Sequence, residues 1–146
     1  MLSLTKKTGY GLIAMTHLAG LPDGEVACSR EIAEKFGVPA SLLMNVLKEL
    51  SAAGYVTSVR GARGGYRLAQ RPEKINLAQL ITTLEGPIRL AECLRGEGNG
   101  TGVICELMER CPIVDPVHRV QRKFKDFLET ITLADIAEPA FSKPPG

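Results

Sequence analysis

Three cysteines fall close together in the second half of the chain. Cys93, Cys105 and Cys111 stand at the spacing C-x11-C-x5-C. Thiolate sulfur is a soft donor suited to zinc, copper(I) and iron–sulfur clusters, and three thiols within one stretch supply most of a four-ligand set. The spacing is not the C-x2-C pairing of common zinc sites, nor that of ferredoxins. Spacing alone therefore leaves two readings open, a metal site and a group of buried structural thiols, because free cysteine is often buried. Cys28 lies apart from the three and reads as a packed small residue. Nucleophilic chemistry needs a base beside the thiol. The chain offers only His17 and His118, and His17 falls on the core face of the first helix. No glycine-rich nucleotide motif or paired catalytic carboxylates stand out, so an enzyme is not expected.

A second chemistry is carried by charge. Residues 1–71 hold nine Lys or Arg against five Asp or Glu; residues 72–146 hold nine against eleven. The stretch from Gly54 to Arg71 contains Arg60, Arg63, Arg67 and Arg71 and no acid. A one-sided basic segment is the footprint of phosphate contact, with a solvated loop as the plain alternative.

The elements that must position these groups follow from periodicity and punctuation. Leu4, Ile13, Ala14, His17, Leu18 and Leu21 recur at helical spacing over 4–21, and Pro22-Asp23-Gly24 breaks the run. Glu25 to Cys28 suits a short strand. Ser29 reads as the N-cap of a helix from Arg30 to Phe36 that stops at Gly37. Val38-Pro39 opens the next helix, which runs to about Ala53 and ends at Gly54. Its apolar residues Leu42, Leu43, Val46, Leu47 and Leu50 fill one arc, leaving Ser41, Met44, Asn45 and Lys48 opposite. Tyr55–Val59 and Tyr66–Ala69 are β-rich and flank a glycine turn, making a hairpin with a basic tip. Asn76 caps a short helix ending at Gly86-Pro87. Residues 94–103 read as a flexible glycine-rich loop. Asp115-Pro116 reads as an N-cap and first helical residue. Val117, Val120, Phe124, Phe127 and Ile131 then make a heptad-type seam, packing either into the same domain or against a second copy. The Pro-rich tail from Glu138 reads as loose.

Two short helices, a tight turn and a hairpin make a winged helix-turn-helix. The fold class is mainly α with a small β-hairpin, and a long C-terminal helix suited to dimerisation. The second helix of such a unit reads base edges in the major groove. Asn45 suits adenine, Ser41 and Lys48 suit phosphates, and Leu42 suits a thymine methyl. In the wing, Arg60 and Arg63 suit a narrow minor groove. Gly64 and Gly65, with Gly61, allow the backbone to approach the duplex. Lys6, Ser29, Met44, Ser58 and Tyr66 complete the candidate set of DNA contacts. A winged helix that binds protein instead is the rival reading.

The run Val38 through Ala69 resembles the Rrf-two family of bacterial regulators, above all in Val59-Arg60-Gly61-Ala62-Arg63-Gly64-Gly65-Tyr66-Arg67-Leu68. The resemblance continues through Leu84-Glu85-Gly86-Pro87, the three cysteines, Cys111-Pro112 and Ile131-Thr132-Leu133-Ala134-Asp135-Ile136, so it covers nearly the whole chain from Leu4 to Ile136. The Glu85-to-Ile88 and Thr132-to-Asp135 stretches are most similar to the branch that regulates iron–sulfur cluster assembly. The resemblance implies a homodimer that sets one winged helix on each half of a roughly palindromic double-stranded operator, with the long late helix between subunits. It also implies that Cys93, Cys105 and Cys111 hold an iron–sulfur cluster, 2Fe-2S or 4Fe-4S. The sequence departs from the family pattern in a longer first gap and in the fourth ligand. Where some members place an acidic side chain, this chain has Gly9. Others use a histidine just after the last cysteine, and here His118 follows Cys111 by seven residues. Glu106, Glu109, Asp115 and an exogenous ligand are weaker candidates.

The expected organisation is a DNA-binding domain over 1–71, a connecting helix and cysteine-bearing sensor loop over 72–112, a dimerisation helix and end cap over 113–137, and a tail over 138–146. The expected function is a transcription regulator that senses iron–sulfur status, redox or nitrosative stress. The alternative is the same dimer without a cluster, switched by thiol oxidation or a protein partner. No apolar run approaches the roughly 20 residues of a membrane span and no signal peptide is evident, so a cytoplasmic location is expected.

Overall fold

The computed structural model describes residues 4–90 and 110–137. Cys93, Cys105, the 94–103 stretch and the tail from Glu138 lie outside the described residues. Helix α1 spans Lys6–Ala19, α2 Ser29–Phe36 and α3 Ala40–Ala52. Strands β1 (Val56–Val59) and β2 (Gly65–Leu68) form an antiparallel hairpin in which Val56 faces Leu68 and Val59 faces Gly65. A 3-10 turn at Pro72–Lys74 leads to α4 (Leu77–Glu85), and α5 (Val114–Thr130) and α6 (Leu133–Ala137) follow.

One core joins the head. Met15, Ile32, Leu43, Leu47, Leu50, Ile75, Leu80 and Leu133 are sealed from solvent in a single cluster. Leu133 belongs to α6, so the end cap is part of the head's core. A five-residue helix has too few turns to stand alone in water. Burying Leu133 contributes about 1.5–3 kcal/mol and fixes it. The chain entering α6 also pairs with the chain entering α4: Leu77 N–H donates to Ile131 O and Leu133 N–H to Ile75 O, both at 2.8 Å. A second, smaller cluster packs Leu77, Ile81, Ile88, Phe124 and Leu128 between α4 and α5.

Several local expectations need correction. The N-cap of α2 is Cys28, not Ser29; the Cys28 sulfur accepts from Glu31 N–H at 3.4 Å. Cys28 is thus a cap as well as a packed residue. Helix α3 begins at Ala40, because Pro39 keeps extended backbone and serves as its N-cap. Helix α5 begins at Val114, with Ile113 as N-cap, so Asp115 sits in the first turn where a carboxylate complements the helix dipole. The expected strand at Glu25–Cys28 reduces to one bridge, Ala27 with Tyr66. Asn76 caps α4 as expected, in a reciprocal capping box with Gln79.

The heptad seam on α5 divides. Gln121 and Leu128 are buried, and Val117, Phe124 and Ile131 are half-buried. Ile113, Val120 and Phe127 are instead 58%, 55% and 60% exposed. Their spacing of seven residues puts them on one line along the helix.

Candidate nucleic-acid interface and cysteine segment

The α2–turn–α3 unit closes on Gly37, whose φ of 67° lies in the left-handed region and suits a helix stop. It turns α3 so that Leu43, Val46, Leu47 and Leu50 face the core. Ser41, Leu42, Met44, Asn45 and Lys48 are all exposed. Leu42 and Met44 are 49% and 42% exposed, unusually open for large apolar side chains on a helix whose Leu43, Val46, Leu47 and Leu50 are sealed. Leu42, expected in the buried arc, is outside it. This face can offer donors, an amide and apolar contact to a groove at once.

Lys6 stands at the start of α1, and a cleft of about 300 Å³ between α1 and α3 is lined by Lys6, Lys7, Tyr10, Leu42, Asn45 and Glu49. The structure therefore brings Lys6 to the face that carries Asn45. Lys7 is paired with Glu49 at 2.8 Å, a link between α1 and α3 that sequence reading missed. Thr5 caps α1, and its N–H donates to the Glu85 carboxylate at the end of α4. Burial pushes the Glu85 carboxyl up, but hydrogen bonding from Thr5 and the Lys7 charge help to outweigh it and hold the group below its ordinary value.

In the wing, Ser58, Arg60 and Arg63 are exposed and Tyr66 is half-buried against the core. Among the described residues, neither Arg60 nor Arg63 has an ion-pair partner. The glycines have an internal role that sequence reading did not give them. A Cβ on Gly64 would meet Val59 O at 2.2 Å, and one on Gly65 would meet the Ala27 carbonyl at 2.6 Å. Both are needed to close the hairpin and dock it on the chain before α2. Ser29, half-buried in the first turn of α2, is less open than the rest of the set.

Of the thiols, Cys28 and Cys111 are described, and both are free and half-buried. Cys111 stands just before α5, and His118 is half-buried within that helix. Among the described residues no three His, Cys, Asp or Glu side chains converge as a metal site. Gly9 is half-buried on α1, with open space where a Cβ would stand. His17 is half-buried, with its ring edge-on to Phe36 at 5.7 Å. Burial and the neighbouring Lys35 charge lower its pKa, against the pull of Glu31.

A helix-turn-helix head with a docked wing, joined to a long helix bearing an exposed apolar line, defines a winged-helix regulator. The chain matches the Rrf2 family, described as an iron-dependent transcriptional regulator, over residues 4–139, and belongs to that family. Similar solved structures include CymR, the global cysteine regulator of B. subtilis, at 31% identity, 94% and 97% coverage of the two chains and a TM-score of 0.73. IscR of T. potens is 30% identical, with 99% and 94% coverage and a TM-score of 0.69. An oxidised form of Staphylococcus aureus CymR is 27% identical, with 94% and 97% coverage and a TM-score of 0.70. Among the described residues no helix is long and apolar enough to cross a membrane.

Proposed function

We propose that this Rrf2-family transcriptional regulator binds double-stranded DNA as a homodimer and that its cysteine segment sets the affinity. The observation that carries the reading is the open face of α3, with Asn45, Lys48, Ser41, Leu42 and Met44 turned to solvent. Lys6 stands beside it, and the exposed wing cations Arg60 and Arg63 follow it in the chain. Asn45 reads base edges, Leu42 and Met44 meet thymine methyls, and Lys6, Lys48, Arg60 and Arg63 neutralise phosphates or enter the minor groove. Ser29, Ser41, Ser58, Tyr66 and the backbone at Gly64 and Gly65 complete the contact set. The line of Ile113, Val120 and Phe127 pairs two copies, and a two-fold dimer suits a palindromic operator.

Cys93, Cys105 and Cys111 are the ligands proposed for an iron–sulfur cluster, with His118 as the candidate fourth. Such a cluster supplies redox and loss-of-ligand chemistry sensitive to iron, oxygen and nitric oxide. The donor set and the IscR likeness support it. Binding of the cluster shifts DNA affinity only by its differential affinity for the two arrangements of the dimer. Anaerobic purification with iron and acid-labile sulfide assay tests the proposal. Coloured, iron-bearing protein is expected, and colourless protein whose DNA binding survives replacement of all three cysteines contradicts it.

A second reading keeps the dimer and replaces the cluster by thiol oxidation. The likeness to a CymR solved in an oxidised form supports it, as does the free, half-buried Cys111. DNA affinity that responds to oxidant in iron-free protein distinguishes it.

A further inference from the structure

The first turn of α1 is built against its own dipole. Lys6 and Lys7 are the first two residues of the helix, and no acid stands in that turn, although a cation at a helix N-terminus is unfavourable. Thr5 caps the helix with its side chain, which accepts from Thr8 N–H at 3.4 Å. In a capping box the residue three after the cap is Glu or Gln and reaches back to the N-cap N–H. Here that residue is Thr8, and the Thr5 N–H donates instead to the carboxylate of Glu85, 80 residues along the chain. Glu85 thus supplies, from another helix, both the missing half of the box and the missing negative charge.

Glu85 is the last residue of α4, and the residue before it holds the same helix. A Cβ on Gly11 would stand 2.5 Å from Cδ1 of the buried Leu84 and 3.3 Å from Cγ1 of Val46 in α3. The end of α4 therefore grips α1 at two points, Thr5 and Gly11. The grip decides where the two lysines stand. Lys7 is paired with Glu49 of α3 at 2.8 Å. Lys6 is exposed and lines the cleft that also holds Leu42 and Asn45. Among the described residues no ion pair takes up its charge, which leaves it for an anion outside the subunit.

We propose that Glu85 is a positioning residue for DNA binding: by holding the Thr5 N–H it fixes the first turn of α1 and keeps Lys6 beside Asn45 on the open face of α3. The consequence for affinity rests on the reading in which that face binds DNA; the clamp on Thr5 does not. The sign of the effect separates the clamp from charge alone. A carboxylate this close to Lys6 repels phosphate, so removing a bystander acid tightens binding. Releasing the clamp acts the other way. Glu85 is exposed, so its replacement leaves no cavity in the core.

The test uses full-length protein and a mixed-sequence duplex, with fluorescence anisotropy across a salt series. Glu85→Ala is expected to weaken binding about fivefold and to lower the salt slope by roughly one, as when one phosphate contact is lost. Glu85→Gln keeps an acceptor for the Thr5 N–H and is expected to stay within about twofold of the parent. With Lys6→Ala already in place, Glu85→Ala is expected to cost nothing further. Glu85→Asp keeps the charge but shortens the reach by one methylene; it is expected to give a smaller loss, and carries the same comparison if Glu85→Ala does not fold. Unchanged or tighter binding by Glu85→Ala, or an equal loss with Lys6 already removed, overturns the proposal. The Thr5 amide proton is read in parallel by NMR, and its resonance is expected to follow the titration of Glu85 in the parent but not in Glu85→Gln. A parent that binds no duplex even at low salt sinks the DNA reading, whereas a Thr5 resonance that ignores the Glu85 titration removes the clamp itself.

Discussion

Gly65 and Ala27 touch backbone to backbone. The Tyr66 N–H donates to Ala27 O at 2.8 Å and the Ala27 N–H to Tyr66 O at 3.0 Å, and this bridge leaves a Cβ on Gly65 only 2.6 Å from the Ala27 carbonyl. The wing is thus docked on the segment that caps α2. Because the obstacle is backbone, Gly65→Ala cannot be absorbed by a side-chain rotation. A loss of about 1–3 kcal/mol is expected, as for other overpacked sites, and is read in thermal unfolding. An unchanged Tm shows that the bridge is dispensable.

The two kinds of DNA contact separate by salt. Asn45→Ala is expected to weaken binding of a specific site by about 1–3 kcal/mol and relax preference at one base position. Arg63→Ala and Lys48→Ala are expected to weaken all sequences alike and lower the salt slope by roughly one each. Fluorescence anisotropy across a salt series, on specific and scrambled duplexes, checks both. An Asn45→Ala loss equal on the two duplexes removes Asn45 from base reading.

Pairing through α5 makes a separate claim. Val120→Asp with Phe127→Asp places charge on the exposed line without touching Leu128 or Gln121 in the buried face. Sedimentation is expected to change from dimer to monomer while the helical circular dichroism is kept. A dimer that persists places the interface elsewhere.

Acid stability follows from two groups. His17 and Glu85 both titrate lower in the folded chain than their ordinary values of 6.5 and 4.5. A depressed folded pKa favours the folded state above the unfolded pKa, and the benefit is lost as pH falls through the folded pKa. Stability is therefore expected to drop in two modest steps, below pH 6.5 through His17 and below pH 4.5 through Glu85. Glu85→Gln is expected to flatten the lower step in a series of Tm values against pH. Parallel curves for parent and variant contradict the assignment.

Much of this fold is legible in the residues. The cap at Asn76, the stops at Gly37 and Gly86 and, Leu42 apart, the apolar arc of α3 are local signals that burial reinforces. The cap at Cys28 is hidden because cysteine is a weak acceptor and a better capping residue, Ser29, stands beside it. The seam on α5 is visible as a heptad, yet one periodicity carries both the face packed on α4 and the face left open, and only tertiary contacts divide them. A clue was present in Gln121, a polar residue in register with Val117, Phe124 and Leu128. The role of Gly65 depends on Ala27, almost forty residues earlier in the chain, which no local pattern announces.

The most direct measurement is selection of bound duplexes from a randomised pool, followed by affinity against salt for the winners. Enrichment of a two-fold symmetric motif with half-sites about one helical turn apart, or a multiple of it, is the expected result, lost in Asn45→Ala and in the Val120→Asp, Phe127→Asp protein. A pool that stays random, with winners retained no better than scrambled duplex at any salt, contradicts the reading of paired α3 helices as the DNA reader.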